Sequence, residues 1–123
     1  MSRASISNNA EYGISVFNSG TAVLHTGAVV ASNAANGVLV EDGTVQVGSL
    51  GASANGTIQS NGANGIYLKT NSVGYFNNPA NKIIGNTGWG ILCDGTPANP
   101  LITGTIGTVS GNGAGQISCN TAP

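Results

Sequence analysis

The chain is 123 residues long, room for one domain, and only 6 % of it is charged, against about 25 % in an average soluble domain. Three cations, Arg3, Lys69 and Lys82, face four acids, so the net charge is −1 and no basic patch for a nucleic acid can be assembled. Its 20 glycines and 16 asparagines interrupt every apolar run before it reaches the length of a membrane helix.

Valine and isoleucine supply much of the 40 % apolar content, which separates this chain from charge-rich disordered ones and points to short strands joined by tight turns. Met1-Ser2-Arg3 leads straight towards the first strand with no apolar leader core, so a signal peptide is not expected in this chain.

Five copies of one pattern then follow in chain order: residues 6–16, 30–40, 58–68, 83–93 and 109–119. They share an Ile or Val, an Asn three residues on, a Gly or, in the last copy, a Gln four residues after that, and a closing strand of the form [IV]-x-[VLC]. The repeat asparagines are Asn9, Asn33, Asn61, Asn86 and Asn112, stepping by 24, 28, 25 and 26 residues. A period near 25 built from β-formers predicts one coil of a β-solenoid per repeat.

Each coil is expected to hold three short strands. Between the repeats, Thr21–Leu24, Thr44–Val47 and Ser72–Tyr75 read as the middle strands. In the fourth coil Gly95–Pro100 reads as a loop and Leu101–Thr103 as the strand. The fold class predicted is therefore all-β, a single domain over 1–123 of about five coils.

Strand alternation turns Ile14, Val38, Ile66, Ile91 and Ile117 inward, with Val16, Val40, Leu68, Cys93 and Cys119 two residues on and Ile6, Val30, Ile58, Ile83 and Val109 from the strand before. The repeat Asn is expected to occupy left-handed backbone at a turn and to form a stacked amide ladder. The glycines Gly13, Gly37, Gly65 and Gly90 are expected to serve either positive φ or close approach; Gln116 takes this place in the last coil, as an atypical terminal repeat would. Cys93 and Cys119 fall on one stack with Cα atoms about 5 Å apart, within bridging range. Two cysteines are too few for a disulfide framework and match no metal spacing, and buried free thiols are the expectation. No metal or other cofactor is expected.

These stacked coils resemble the right-handed parallel β-helix proteins of the pectin-lyase-like class, over a span from Ile6 to Asn120. The resemblance implies the fold and, by analogy, an extracellular or cell-surface location, with this chain as a C-terminal portion of a longer member. It does not imply one activity, because the same coil carries polysaccharide lyases, glycoside hydrolases, tailspikes and adhesins.

Function is sought on the outward side chains. One ladder reads Phe17, Glu41, Lys69, Asp94, Asn120, either a solvated charge row or an acidic pair assisted by Lys69. Glu41 or Asp42 would lie two coils from Asp94, roughly 9–10 Å, a separation compatible with inverting glycoside hydrolysis. Related lyases use clustered acids that hold Ca²⁺ and an Arg or Lys base, and related hydrolases use clustered Asp. Here the acids are Glu11, Glu41, Asp42 and Asp94, and the one Arg is Arg3, expected in a frayed terminus. No family catalytic motif matches, and His25 stands alone.

A second ladder reads Ser15, Leu39, Tyr67, Leu92, Ser118, with Trp89 on the adjoining corner. Leu39, Tyr67, Leu92 and Trp89 are expected to form an exposed apolar patch, for a covering loop, self-association or a sugar. Thr57 and Thr108 share an outward row with Val29 and Lys82, which is no regular threonine array for ice. The ends carry no capping helix, so the open coils call for a homo-oligomer or for the remainder of a longer chain. The function expected is a non-catalytic structural or self-assembling module; the alternative is binding or cleavage of a polysaccharide.

Overall fold

A computed structural model describes residues 4–49, 55–94 and 101–119. Among these, fourteen strands and no helix are present, in three sheets whose pairings are all parallel. The first sheet stacks β1 (Ser5–Ser7), β4 (Ala28–Ala31), β7 (Gly56–Gln59), β10 (Lys82–Ile84) and β13 (Thr108–Ser110). The second stacks β2 (Ile14–Val16), β5 (Val38–Val40), β8 (Ile66–Leu68), β11 (Trp89–Cys93) and β14 (Gly115–Ile117). The third stacks β3 (Gly20–Leu24), β6 (Gly43–Val47), β9 (Val73–Asn77) and β12 (Leu101–Thr105).

Each strand therefore pairs with the strand three places on, which is the topology of a β-solenoid. The five repeats close four full turns, and the fifth contributes its first two strands among the described residues. Leu101–Thr105 is the fourth middle strand, in register with Val73–Asn77. The expectations placed on Arg3, Gly95–Pro100, Asn120 and the C-terminal end lie outside the described residues.

The register stacks like on like. Val30, Ile58 and Ile83 run through the first sheet and Val38, Ile66 and Ile91 through the second, all fully buried, while in the third Gly74 separates the buried Val45 and Ile102. Burying each such side chain contributes about 1.5–3 kcal/mol. Their counterparts in the end coils, Ile6, Ile14, Val109 and Ile117, are only partly buried, because each has a neighbour on one side. Phe76 is the largest side chain in the core, and it fits because its neighbour Gly74 has no Cβ, which would lie 3.0 Å from the Phe76 ring.

Two local expectations are corrected, and one left between alternatives is decided. Left-handed backbone belongs to the residue before each repeat Asn, namely Asn8, Ser32, Ser60, Gly85 and Gly111, with φ between 56° and 66°. The corner is turned there, and the Asn that follows is left free to aim its amide along the solenoid axis. The repeat glycines, correspondingly, are not at positive φ and serve close approach alone. A Cβ on Gly37 would stand 2.7 Å from both the Asn61 amide nitrogen and the Gly65 carbonyl oxygen of the next coil.

The second correction concerns the cysteines. Cys93 and Cys119 form a disulfide, with Cα atoms 5.0 Å apart, instead of packing as free thiols. Cys119 lies two residues beyond the end of β14. The Cα separation is the one expected of neighbours on a single stack, and the Ser118 N–H still donates to the Ile91 carbonyl at 3.0 Å.

Candidate functional site

The most regular constellation of polar side chains is the Asn ladder. Asn9 Nδ2 donates to Asn33 Oδ1 at 2.8 Å, and the same bond repeats from Asn33 to Asn61, Asn61 to Asn86 and Asn86 to Asn112 at 2.9–3.0 Å. Each acceptor oxygen also receives the backbone N–H of the preceding Asn, at 2.9–3.1 Å. The second amide proton of Asn33, Asn61, Asn86 and Asn112 points towards a carbonyl one coil back, on Ile6, Val30, Ile58 and Ile83. Among the described residues no buried side-chain nitrogen or oxygen lacks a partner.

A second ladder runs beside it and escaped the sequence reading. Asn36 Oδ1 accepts both the backbone N–H and the amide of Asn64, and Asn64 Oδ1 accepts the backbone N–H of Trp89. The signal is present in the chain, since these residues lie three places after the repeat Asn. Asn78 and Asn81, both buried, make a third junction: Asn81 Oδ1 accepts from Gly56 N–H, and its amide donates to the Val47 carbonyl.

On the outer surface the structure joins Glu41, Lys69, Tyr67 and Asp94 in a row. Lys69 Nζ lies 3.8 Å from Glu41 Oε2 and 5.8 Å from the centre of the Tyr67 ring. Tyr67 donates its hydroxyl proton to Asp94 Oδ2 at 2.6 Å. Asp94 is thus partnered by a phenol, not by the cation that the alternating charges suggested. The Lys69–Glu41 pair is exposed and contributes about 0.2–1 kcal/mol at most.

Asp42 faces elsewhere. It accepts from Asn71 Nδ2 at 2.6 Å and lines a shallow open groove of about 210 Å³ with Ser19, Gly43, Thr44, Asn71 and Val73. The structure therefore brings Glu41, Lys69 and Asp94 into one row and sends Asp42 to another. His25 is half-buried and bonded to Thr26, with Nδ1 and Oγ1 2.7 Å apart. No three of His, Cys, Asp and Glu gather into a metal-binding group among the described residues.

The apolar patch is also redrawn. Leu39, Tyr67 and Leu92 stack in register as expected but are half-buried, because side chains on adjacent coils shield one another. Trp89 lays its ring against Gly115 of the next coil, where a Cβ would stand 2.4 Å from Cζ3. Among the described residues the large apolar side chains that are exposed are Tyr12, Phe17 and Tyr75, the last two at 59 % and 45 %. Tyr75 follows from strand parity, since its neighbour Phe76 points into the core.

The Tyr67 hydroxyl carries the perturbed titration of this surface. Its hydrogen bond to Asp94, then partial burial, then the charge of that carboxylate push it up to about 12. Between the ordinary value near 10 and that value, the unfolded chain binds fewer protons than the folded one, so stability falls as pH rises through this window. We expect Asp94→Ala to shift the Tyr67 phenolate transition downward in an ultraviolet titration. An unmoved transition would show that the contact with Asp94 does not form in solution.

Comparison of the chain with family models, with curated proteins and with solved structures finds no match, so the fold and these contacts stand as its description.

Proposed function

We propose that this chain is a non-catalytic structural module, a rigid solenoid that serves within a larger or self-associating assembly of the extracellular or cell-surface kind. The observation that carries the reading is the use made of the asparagine side chains. Asn33, Asn36, Asn61, Asn64, Asn81, Asn86 and Asn112 spend their amides on joining one coil to the next. The acidic side chains, by contrast, pair singly at the surface: Glu41 with Lys69, Asp94 with Tyr67 and Asp42 with Asn71. Glycoside hydrolysis requires two carboxyl groups directed at one bond, and these three are divided among separate partners.

A polysaccharide-binding reading rests on one feature, the half-buried Tyr67 ring with Asp94 and Lys69 beside it. An aromatic face flanked by polar groups suits a sugar ring. The two readings part in a titration. A panel of oligosaccharides is expected to leave the fluorescence of Trp89, the sole tryptophan, unchanged and the Tyr67 hydroxyl titration in place. A saturable change in either signal, lost in Asp94→Ala, would replace the structural reading with the binding one.

A further inference from the structure

We propose that Gln116 ends the Asn ladder at the fifth coil, so that a second copy of the chain cannot stack on that coil and continue it. The Asn ladder has a direction. Each Asn donates its backbone N–H and its amide to the Asn of the following coil, so coil one offers an acceptor and the last coil offers donors. At the first edge, Asn9 is exposed and its Oδ1 receives no donor among the described residues. At the last edge Asn112 should present the unsatisfied donors, and it does not. Gln116 Oε1 accepts the Asn112 amide at 2.8 Å and the Asn112 backbone N–H at 3.3 Å. These are the two bonds that a following Asn supplies elsewhere.

The room for this comes from the repeat itself. In the earlier coils the corresponding residues are Gly13, Gly37, Gly65 and Gly90, and a Cβ on any of them would collide with the amide nitrogen of the next coil's Asn at 2.7–2.8 Å. The empty glycine position is the slot into which that Asn fits. Coil five carries Gln116 at this position, and its side chain fills the slot with a carboxamide of its own. Two identical chains stacked end to end would need Asn9 of one to enter the slot beside Asn112 of the other. Gln116 occupies that place and holds the donors, so open-ended stacking is blocked whatever the outer faces bind. Exposed parallel edges are templates for such growth, and this is a side-chain means of suppressing it.

The test is Gln116→Gly, which restores the consensus residue, with light scattering on a sizing column as the readout. The wild-type mass is expected to reach a fixed value as concentration rises. The mass of Q116G is expected to climb several-fold without a plateau, and adding Asn9→Leu to Q116G is expected to abolish the climb by removing the acceptor. A folded Q116G with the wild-type mass profile overturns the proposal, as does open-ended growth of the wild type or growth of Q116G that Asn9→Leu leaves untouched. Should Q116G fail to fold, exchange of the side-chain amide protons in the wild type decides the matter. Protons on Asn112 that exchange as slowly as those on Asn86 support the proposal, and fast exchange at Asn112 overturns it.

Discussion

Asn61→Leu is expected to lose about 4 kcal/mol of stability, a large part of what holds a domain of this size together. Leucine nearly matches asparagine in shape, so little packing is lost and the effect isolates the amide. Asn61 Oδ1 accepts the backbone N–H and the side-chain amide of Asn33, and both donors are buried. Its own amide donates to Asn86 Oδ1 and lies 3.4 Å from the Val30 carbonyl. The substitution leaves two buried donors on Asn33 without partners, and each orphaned group costs about 1–3 kcal/mol. Asn9→Leu provides the contrast. Asn9 is exposed, its side chain makes a single bond to Asn33, and water can replace what is lost. Its cost is expected at about 1 kcal/mol or less. Urea denaturation of the two variants checks the ratio. Equal losses at Asn61 and Asn9 would mean that burial of the ladder does not set its strength.

The difference between these two positions illustrates what could be read from the chain. The spacing of Asn9, Asn33, Asn61, Asn86 and Asn112 marks the coils because a stacked amide demands the same residue at the same place in every turn. Apolar residues in alternation beside them then place the sheets, and the pairings Ile14↔Val38, Val38↔Ile66 and Ile66↔Ile91 follow. Periodic features are legible because each copy tests the others.

Features made once are not. The link between Cys93 and Cys119 occurs at one pair of coils, and no repeat of it elsewhere reveals it. Asn78 and Asn81 fasten the third coil to the second in a segment with no counterpart elsewhere. The surface row was misjudged for a related reason. Charge alternation along Glu41, Lys69 and Asp94 pairs Asp94 with Lys69 on paper, but Lys69 is long and reaches back to Glu41. Tyr67, on the same coil as Lys69, donates to Asp94 instead. The row's chemistry depends on side-chain reach and rotamer, which a one-dimensional register does not contain. The left-handed corners were misplaced by one residue because Asn9 and its equivalents are chemically suited to that backbone, yet Ser32, Ser60 and Gly85 adopt it without an amide to spare for the ladder.

Gly65→Ala is expected to cost about 3 kcal/mol of stability. Its backbone is not at positive φ, so alanine would be tolerated there on conformational grounds and would even restrict the unfolded chain favourably. The obstruction is steric and comes from the next coil. A Cβ at Gly65 would stand 2.7 Å from the Gly90 carbonyl oxygen, 2.8 Å from the Asn86 amide nitrogen and 2.9 Å from Ile83 Cγ2. None of the three can swing aside: the first is backbone in β11, the second is held in the ladder, and the third is fully buried in the core. The coils would have to separate at one corner, and the Asn61–Asn86 bonds lie at that corner. Gly85→Ala is the control, because its burden is of the opposite kind. Gly85 sits at φ +65° with its nearest obstacle 3.8 Å away on Ser60, so alanine there meets open space and carries only a left-handed backbone cost of about 1–2 kcal/mol. Urea midpoints for the pair are expected to rank Gly65→Ala well below Gly85→Ala. The reverse order would mean that the glycine column is kept for backbone freedom and that the close approach of coils, on which the slot filled by Gln116 also depends, is not what the position selects.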